Sequence, residues 1–334
     1  MTPVPHDPSM PKILLTGGTG FFGRALLRHW ASMYAAGGRV PIVVVPSRDP
    51  LAFGERYPRL ASQPWLQVRA GDIMITASLP DEDGFAAVIH AAADSTLGPS
   101  LPALVRYDQI VRGTRNLLDW AVAHGVPRLL LTSSGGVYGP QPAHVESLPE
   151  DCLAMPDPLD ARNAYGVAKR AAEHLCALYQ DRWGLQTVIA RCFAFVGEDL
   201  PLDVHFAIGN FLRDALYGDA IHVRGDGLAL RSYLDQRELA QWLLVILNDG
   251  QAGRAYNVGS DHAISIAHLA QLVRNLLAPG KLVHIGGEAA DGASRSRYVP
   301  SIRRAREELQ LDVAIPLEQA IVHTAERIRE RTPA

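Results

Sequence analysis

Tyr165 and Lys169 stand four residues apart in the run Asn163-Ala164-Tyr165-Gly166-Val167-Ala168-Lys169. On a helix, positions i and i+4 share one face, so a phenol and an ammonium project to the same side. A free phenol titrates near pH ~10 and shuttles protons poorly at neutrality. A cation fixed beside it favours the phenolate, lowering its pKa toward the working range of an acid–base catalyst. A lone Tyr-x-x-x-Lys also turns up on solvated helices. Here a serine pair, Ser133-Ser134, lies upstream, and a glycine-rich turn opens the chain.

That turn reads Thr16-Gly17-Gly18-Thr19-Gly20-Phe21-Phe22-Gly23. The apolar run Lys12 to Leu15 before it suits a buried parallel strand, and Arg24 to Met33 after it carries Ala25, Leu26, Leu27, Trp30 and Ala31 at helical spacing. Glycines between a strand and a helix have the context of a dinucleotide-binding fingerprint. Gly17 allows the tight turn, Gly20 lets backbone approach a pyrophosphate, and Gly23 lets the helix pack on the strand. The helix N-terminus then offers N–H groups to the phosphates. The plainer reading is a strand-to-helix turn that uses glycine for its backbone freedom.

The elements that must position these residues follow a regular alternation. Candidate strands are Ile13 to Thr16, Pro41 to Val45, Leu66 to Ala70, Ala87 to His90, Arg128 to Ser133 and Thr187 to Arg191, with amphipathic stretches at Leu101 to His124 and Asn163 to Trp183. The alternation predicts an α/β fold, a doubly wound parallel (Rossmann) sheet with helices on both faces. After Phe195 come Gly- and Asp-rich turns and a helix near Arg237 to Leu247. The organisation read from this is a loose, Pro-rich tail at 1–11 and a dinucleotide-binding domain at 12–195 with parts of 235–260 interleaved. A smaller substrate-binding domain, mainly 196–334, would cover the carboxyl ends of the strands.

With 334 residues, 48% apolar and 20% charged, the chain has the composition of a soluble globule with a sizeable core. A formal charge of −3 gives no reason to expect nucleic acid. Cys152, Cys176 and Cys192 form no C-x-x-C pair and no zinc-site spacing, which suggests reduced thiols and no metal. The apolar stretch Trp242 to Leu247 is far too short to span a bilayer, and the first residues lack a signal pattern, so the expected location is the cytoplasm.

Further segments carry a family resemblance. The turn at Thr16 to Gly23 is close to T-G-G-x-G-F-x-G; Gly71-Asp72-Ile73 resembles G-D-[IL]; His90-Ala91-Ala92-Ala93 resembles H-x-A-A; Gly113-Thr114 with Asn116-Leu117-Leu118 resembles G-T-x-N-L-L; and Ser133-Ser134-Gly135-Gly136-Val137-Tyr138-Gly139 resembles S-S-x-x-V-Y-G. In this order, from about Lys12 to about Leu311, the chain resembles the extended short-chain dehydrogenase/reductases of the NAD(P)-dependent nucleotide-sugar epimerase/dehydratase family. The resemblance implies that Ser134 bonds the reacting sugar oxygen and that Tyr165 gives or takes its proton. It also implies that Lys169 holds the nicotinamide ribose and that Ser133 is structural. Gly17, Gly20, Phe21, Phe22, Gly23, Asp72, Ile73, Ala91 and Ala92 would then line the cofactor. Hydride would move between nicotinamide and a sugar carbon, usually C4.

Departures from the family pattern narrow the reaction. Sugar 4,6-dehydratases carry Asp-Glu directly after the Ser/Thr, decarboxylases a Glu and 3,5-epimerising members a Cys at the second position; this chain has Gly135-Gly136. Glycine can neither protonate a leaving hydroxyl nor remove a carbon proton. What remains is a 4-keto reductase acting on a nucleoside-diphosphate 4-keto (deoxy)sugar, with a 4-epimerase as the alternative. A small-ketone reductase and a non-catalytic NADP sensor are further off. NAD-specific members end the second strand with an acid for the ribose 2′-OH. Here Val45 runs into Pro46-Ser47-Arg48, and Ser47 with Arg48 suits the 2′-phosphate of NADP(H); NAD(H) is the alternative, with Asp49 as its ribose ligand if the register differs. Arg231, in Arg231-Ser232-Tyr233-Leu234-Asp235, resembles the family's diphosphate-binding arginine, with Arg297 or Arg295 as a second. Ser95, Thr96, His205 and Asn210 are candidates for the sugar pocket. Ala194 and Ile110 stand where many relatives have Asn, which leaves the sugar open. Family members commonly dimerise through two helices, and Ala168, Ala171, Ala172, Leu175 and Leu178 offer an apolar face for an isologous homodimer.

Overall fold

A computed structural model describes residues 10–92, 101–204, 206–287 and 296–331. The chain divides into two units, the first made of Met1–Val137, Pro156–Arg191 and Ala240–Tyr256, the second of Tyr138–Met155, Cys192–Leu239 and Asn257–Ala334. In chain order the central elements are β1 (Lys12–Thr16), α1 (Phe21–Ala35), β2 (Ile42–Ser47), α2 (Pro50–Arg56), α3 (Pro58–Ala61), β3 (Leu66–Ala70) and β4 (Phe85–His90). They continue with α4 (Ala103–Ala123), β5 (Arg128–Ser134), α5 (Ala164–Trp183) and β6 (Gln186–Cys192).

One seven-stranded sheet runs in the order Ala255–Val258, β6, β5, β4, β1, β2, β3. β1 pairs in parallel with both β2 and β4, β2 with β3, and β4 with β5. The order reverses between β1 and β4, the switch point at which a doubly wound sheet opens a crevice beyond its strand ends. Every residue of β2 is buried, as a strand covered on both faces requires. The core joins Leu14, Val44, Val88, Leu129 and Leu131 from the sheet to Leu117 and Leu118 of α4 and Ala168, Ala172 and Cys176 of α5.

The strand positions agree with the sequence reading to within a residue or two, with two differences. β2 runs on through Pro46 to Ser47 instead of ending at Val45. Its pairing with β1 stops at Val44, whereas its pairing with β3 continues to Ser47. Pro46 therefore sits where one side of the ladder has already ended. The strand Ala255–Val258, far along the chain from β6, completes the sheet and had been recognisable only as part of an interleaved stretch.

Of the five apolar α5 residues proposed for self-association, Ala168 and Ala172 belong to this chain's own core, and Leu175 packs on it. Only Leu178 is mainly exposed, at 48%. In the second unit, strand Ala220–Val223 pairs in parallel with Leu282–Ile285, and Leu230–Arg231 lies between Ile264–Ser265 and Arg297–Tyr298. Helix α6 (Ala207–Tyr217) also belongs to this unit. No helix among the described residues is long and apolar enough to cross a membrane.

Candidate active site

The glycine turn after β1 is shaped by close backbone contact. Gly17 adopts φ +71°, and a Cβ on it would meet the Ala91 carbonyl oxygen at 2.4 Å. A Cβ on Gly23 would lie 2.3 Å from the Cα of Gly18, so α1 starts hard against the turn itself. Gly18, unremarked in the sequence reading, is equally constrained, with Val45 Cγ1 2.6 Å from where its Cβ would be. Gly20 differs: its nearest neighbour would be the Gly17 oxygen at 3.3 Å, and it serves as the extended N-cap of α1. The first turn of α1, Phe21 and Phe22 included, holds no acid, and no side chain caps it. A cradle of this kind fits the pyrophosphate of a dinucleotide, which a helix N-terminus and a bare backbone favour.

At the end of β2, Ser47 is buried and its Oγ accepts the Asp49 N–H at 3.2 Å. Asp49 turns its carboxylate to the start of α2, accepting the Ala52 N–H at 2.9 Å. That helix cap engages the one acid that could have served as a ribose ligand. Arg48 between them is exposed. In α1, the guanidinium of Arg24 lies 4.9 Å from the Tyr57 ring centroid and donates to the Thr19 carbonyl.

The motif residues of β3 to α4 form one hydrogen-bonded set. Asp72 Oδ1 accepts the Met74 N–H at 2.9 Å, fixing the turn after β3. Gly113 leaves room for the Ile73 side chain, whose Cδ1 would be 2.7 Å from an added Cβ, and Asn116 donates to the Ile73 carbonyl at 3.0 Å. Thr114 donates to the Ile110 carbonyl at 2.6 Å, so toward His90 Nε2, 3.0 Å away, it must act as acceptor. His90 Nδ1 then accepts from Thr16 Oγ1 at 2.8 Å. Both ring positions are satisfied by a neutral imidazole. Burial, with Lys169 as a second cause, pushes the His90 pKa down to about 3.

Ser134 ends β5, and the turn Gly135–Tyr138 follows it. The Ser134 Oγ accepts the Gly136 N–H at 3.1 Å, which leaves its own hydroxyl hydrogen to donate elsewhere. Ser133 on the opposite face donates to Glu173 at 2.5 Å, and Arg191 clasps the same carboxylate at 3.1 and 2.8 Å. That set ties β5, α5 and β6 together.

Helix α5 approaches the Gly135-Gly136 turn so closely that a Cβ on Gly166 would be 2.5 Å from the Gly136 oxygen. Tyr165 and Ser134 consequently converge on one point: a Cβ on Gly136 would lie 3.4 Å from Ser134 Oγ and 3.6 Å from Tyr165 Cδ1 and Cε1. Lys169, buried one turn on, donates to the Thr132 carbonyl at 2.8 Å. Such a set can bond a carbonyl or alcohol oxygen through two hydroxyls and move a proton at it. Arg106 of α4, absent from the sequence reading, places its guanidinium 4.2 Å from the Tyr165 ring centroid. Its signal was an arginine on the same helical stripe as buried Ile110, Gly113 and Leu117.

The remaining candidates are in the second unit or outside the described residues. Arg231 and Arg297 lie on adjacent parallel strands. Arg231 donates to the Leu230 carbonyl at 2.8 Å and the Ser296 carbonyl at 3.2 Å, and Arg297 to the Glu146 carbonyl at 2.9 Å. The Asn210 amide donates to the Val204 carbonyl at 2.9 Å. Ser95, Thr96, His205 and Arg295 fall outside the described residues. Among the described residues, no three His, Cys, Asp or Glu side chains are grouped to hold a metal.

A profile of the NAD dependent epimerase/dehydratase family matches residues 13–259. UDP-glucuronic acid decarboxylase 1 of Danio rerio is 31% identical over 212 residues, covering 64% of this chain and 49% of that protein, so the chain spans about half that relative's length. A dTDP-glucose 4,6-dehydratase of Streptomyces griseus is 28% identical over 319 residues, 93% of this chain and 92% of its own. The crystal structure of a Thermotoga maritima UDP-glucose 4-epimerase with UDP-glucose superposes with a TM-score of 0.79 at 21% identity, over 96% of this chain and 99% of that one. The chain belongs to the NAD dependent epimerase/dehydratase family of extended short-chain dehydrogenase/reductases.

Proposed function

We propose that this family member is a 4-keto reductase of nucleoside-diphosphate (deoxy)sugars that prefers NADP(H). One observation carries the reading. A side chain at position 136 would touch both Ser134 and Tyr165, and the residue there is glycine. An acid at that point would serve elimination of water or handling of a carboxyl group; without it, the site is left with two hydroxyls and a buried lysine. These suffice for hydride chemistry at a carbon bearing oxygen.

Bound NADPH would supply the hydride to C4. Ser134 donates its hydroxyl to the carbonyl oxygen, and Tyr165 delivers the proton as that oxygen becomes an alcohol. Lys169 and the neutral His90 support the same corner from α5 and β4. The preference for NADP(H) rests on exposed Arg48 and on Asp49 being engaged as a helix cap. Arg231 and Arg297 are our candidates for the substrate diphosphate, and the assembly we propose is an isologous homodimer.

The test is reduction of dTDP- or UDP-4-keto-6-deoxyglucose with NADPH, followed at 340 nm and by product NMR. Turnover supports the reading. Interconversion of UDP-glucose and UDP-galactose without added reductant would replace it with 4-epimerisation. Release of carbon dioxide from UDP-glucuronate would overturn the argument from Gly136.

A further inference from the structure

Arg106 lies in the first turns of α4, half-buried, and its guanidinium carbon is 4.2 Å from the Tyr165 ring centroid. That is well within the range at which a cation and an aromatic face attract one another. Arg106 of α4 therefore brings a cation to this phenol from a different element than Lys169, which lies one turn along α5. Among the described residues, the other charged groups of these elements are paired, neutral, turned to backbone or exposed. Glu173 on α5 is paired with Arg191 of β6 at 2.8 Å. His90 on β4 takes up a proton only near pH 3. Arg170 of α5 turns to the Val137 carbonyl at 3.0 Å. Asp160 and Arg162, ahead of α5, pair with each other at 2.8 Å, and Asp108 and Arg112 of α4 are exposed.

We propose that Arg106 is a positioning residue for Tyr165 that acts through its charge, holding the phenol plane and helping it ionise at lower pH. A positive charge at this range favours the phenolate over the phenol. At the effective dielectric of a half-exposed site, its removal raises the ionisation midpoint by about one pH unit. A bulky apolar side chain would fill the same space and keep the ring in place but would lack this effect. The inference rests on Tyr165 being the proton donor, yet its test requires no substrate.

Tyrosinate absorbance at 295 nm is titrated in the wild type and in Tyr165→Phe; the difference isolates one of the ten tyrosines. The same pair is made in Arg106→Met and Arg106→Lys backgrounds. The expected result is a Tyr165 midpoint about one pH unit higher with methionine and close to wild type with lysine. Equal midpoints in wild type and Arg106→Met would overturn the proposal, as would lysine behaving like methionine. If Arg106→Met does not fold, Arg106→Gln carries the same comparison. An unmoved midpoint alongside an inactive Tyr165→Phe would refute this role while the proton donor stands. A moved midpoint with an active Tyr165→Phe would do the reverse.

Discussion

Gly166→Ala should give a folded protein that turns over poorly. The added methyl would sit 2.5 Å from the Gly136 carbonyl oxygen and 3.2 Å from Pro156 Cγ. The first neighbour is backbone and cannot rotate away, so α5 or the turn must shift by roughly 1 Å to restore contact distance, an overpacking strain of about 1–3 kcal/mol. Gly166 is the third residue of α5, in its first turn, where alanine returns at most the helix propensity of about 1 kcal/mol that it gains in a helix interior. The net stability loss is therefore about 0–3 kcal/mol by these two magnitudes. Turnover responds differently, because the shift moves Tyr165 relative to Ser134, and a 1 Å misplacement costs roughly 10²-fold in rate. Gly136→Ala is the matched control: its methyl meets its neighbours at 3.4–3.6 Å, ordinary contact, and Gly136 has no left-handed backbone to protect. Urea denaturation and initial rates of NADPH oxidation should separate the two variants by rate much more than by midpoint. Wild-type turnover in Gly166→Ala would refute the claim that this contact sets the site's geometry.

Tyr165→Phe should keep the fold and lose roughly 10²-fold or more in turnover, read from initial rates, since only the proton donor is removed. Arg48→Ala should weaken NADP(H) by about 1.5–3 kcal/mol and leave NAD(H) nearly unchanged in fluorescence titration; tighter wild-type binding of NAD(H) would reverse the cofactor assignment. Because His90 has its pKa lowered to about 3 from 6.5, the unfolded chain takes up a proton that the folded chain refuses, so stability falls as pH drops through that window. The loss approaches about 1.4 kcal/mol per pH unit below 6.5 and totals about 2 kcal/mol between pH 7 and 5, visible as urea midpoints that fall over that range in wild type and fall less in His90→Gln. Light scattering at micromolar concentration should give about twice the 36.2 kDa chain mass; a monomer would exclude the dimer.

The sheet was legible because buried parallel strands are almost continuous apolar runs, and the helices because their apolar residues repeat at helical spacing. Pro46 hid the last two residues of β2, since a proline is read as a break unless the neighbouring strand is known to have ended. The strand Ala255–Val258 is four residues long and has no local signal of where it pairs. At the site, Tyr165, Lys169 and the glycine turn announce themselves because their chemistry depends on local spacing. Arg106 does not. Its partner is far away in the chain, and an arginine on a mostly apolar stripe reads as a side chain reaching for solvent. The five α5 residues show the same limit from the other side, because periodicity identifies an apolar face without saying what covers it.

The structure supplies a physical reason why residue 136 bears on the proposed reaction. Helix α5 comes within reach of the Gly136 oxygen only because residue 166 has no side chain. That closeness brings the Tyr165 ring against the space above Gly136, and the hydrogen bond from Gly136 N–H brings Ser134 Oγ to the same place. A Cβ at 136 then meets both hydroxyl-bearing side chains at 3.4–3.6 Å, ordinary contact that requires no shift of either. On the proposed reading the chemistry of the site is separable from its scaffold: Gly166 sets where Tyr165 stands, and residue 136 sets whether a further acid or base lies beside it. In this chain none does, which is the ground for proposing a site that moves a hydride and one proton at a single carbon.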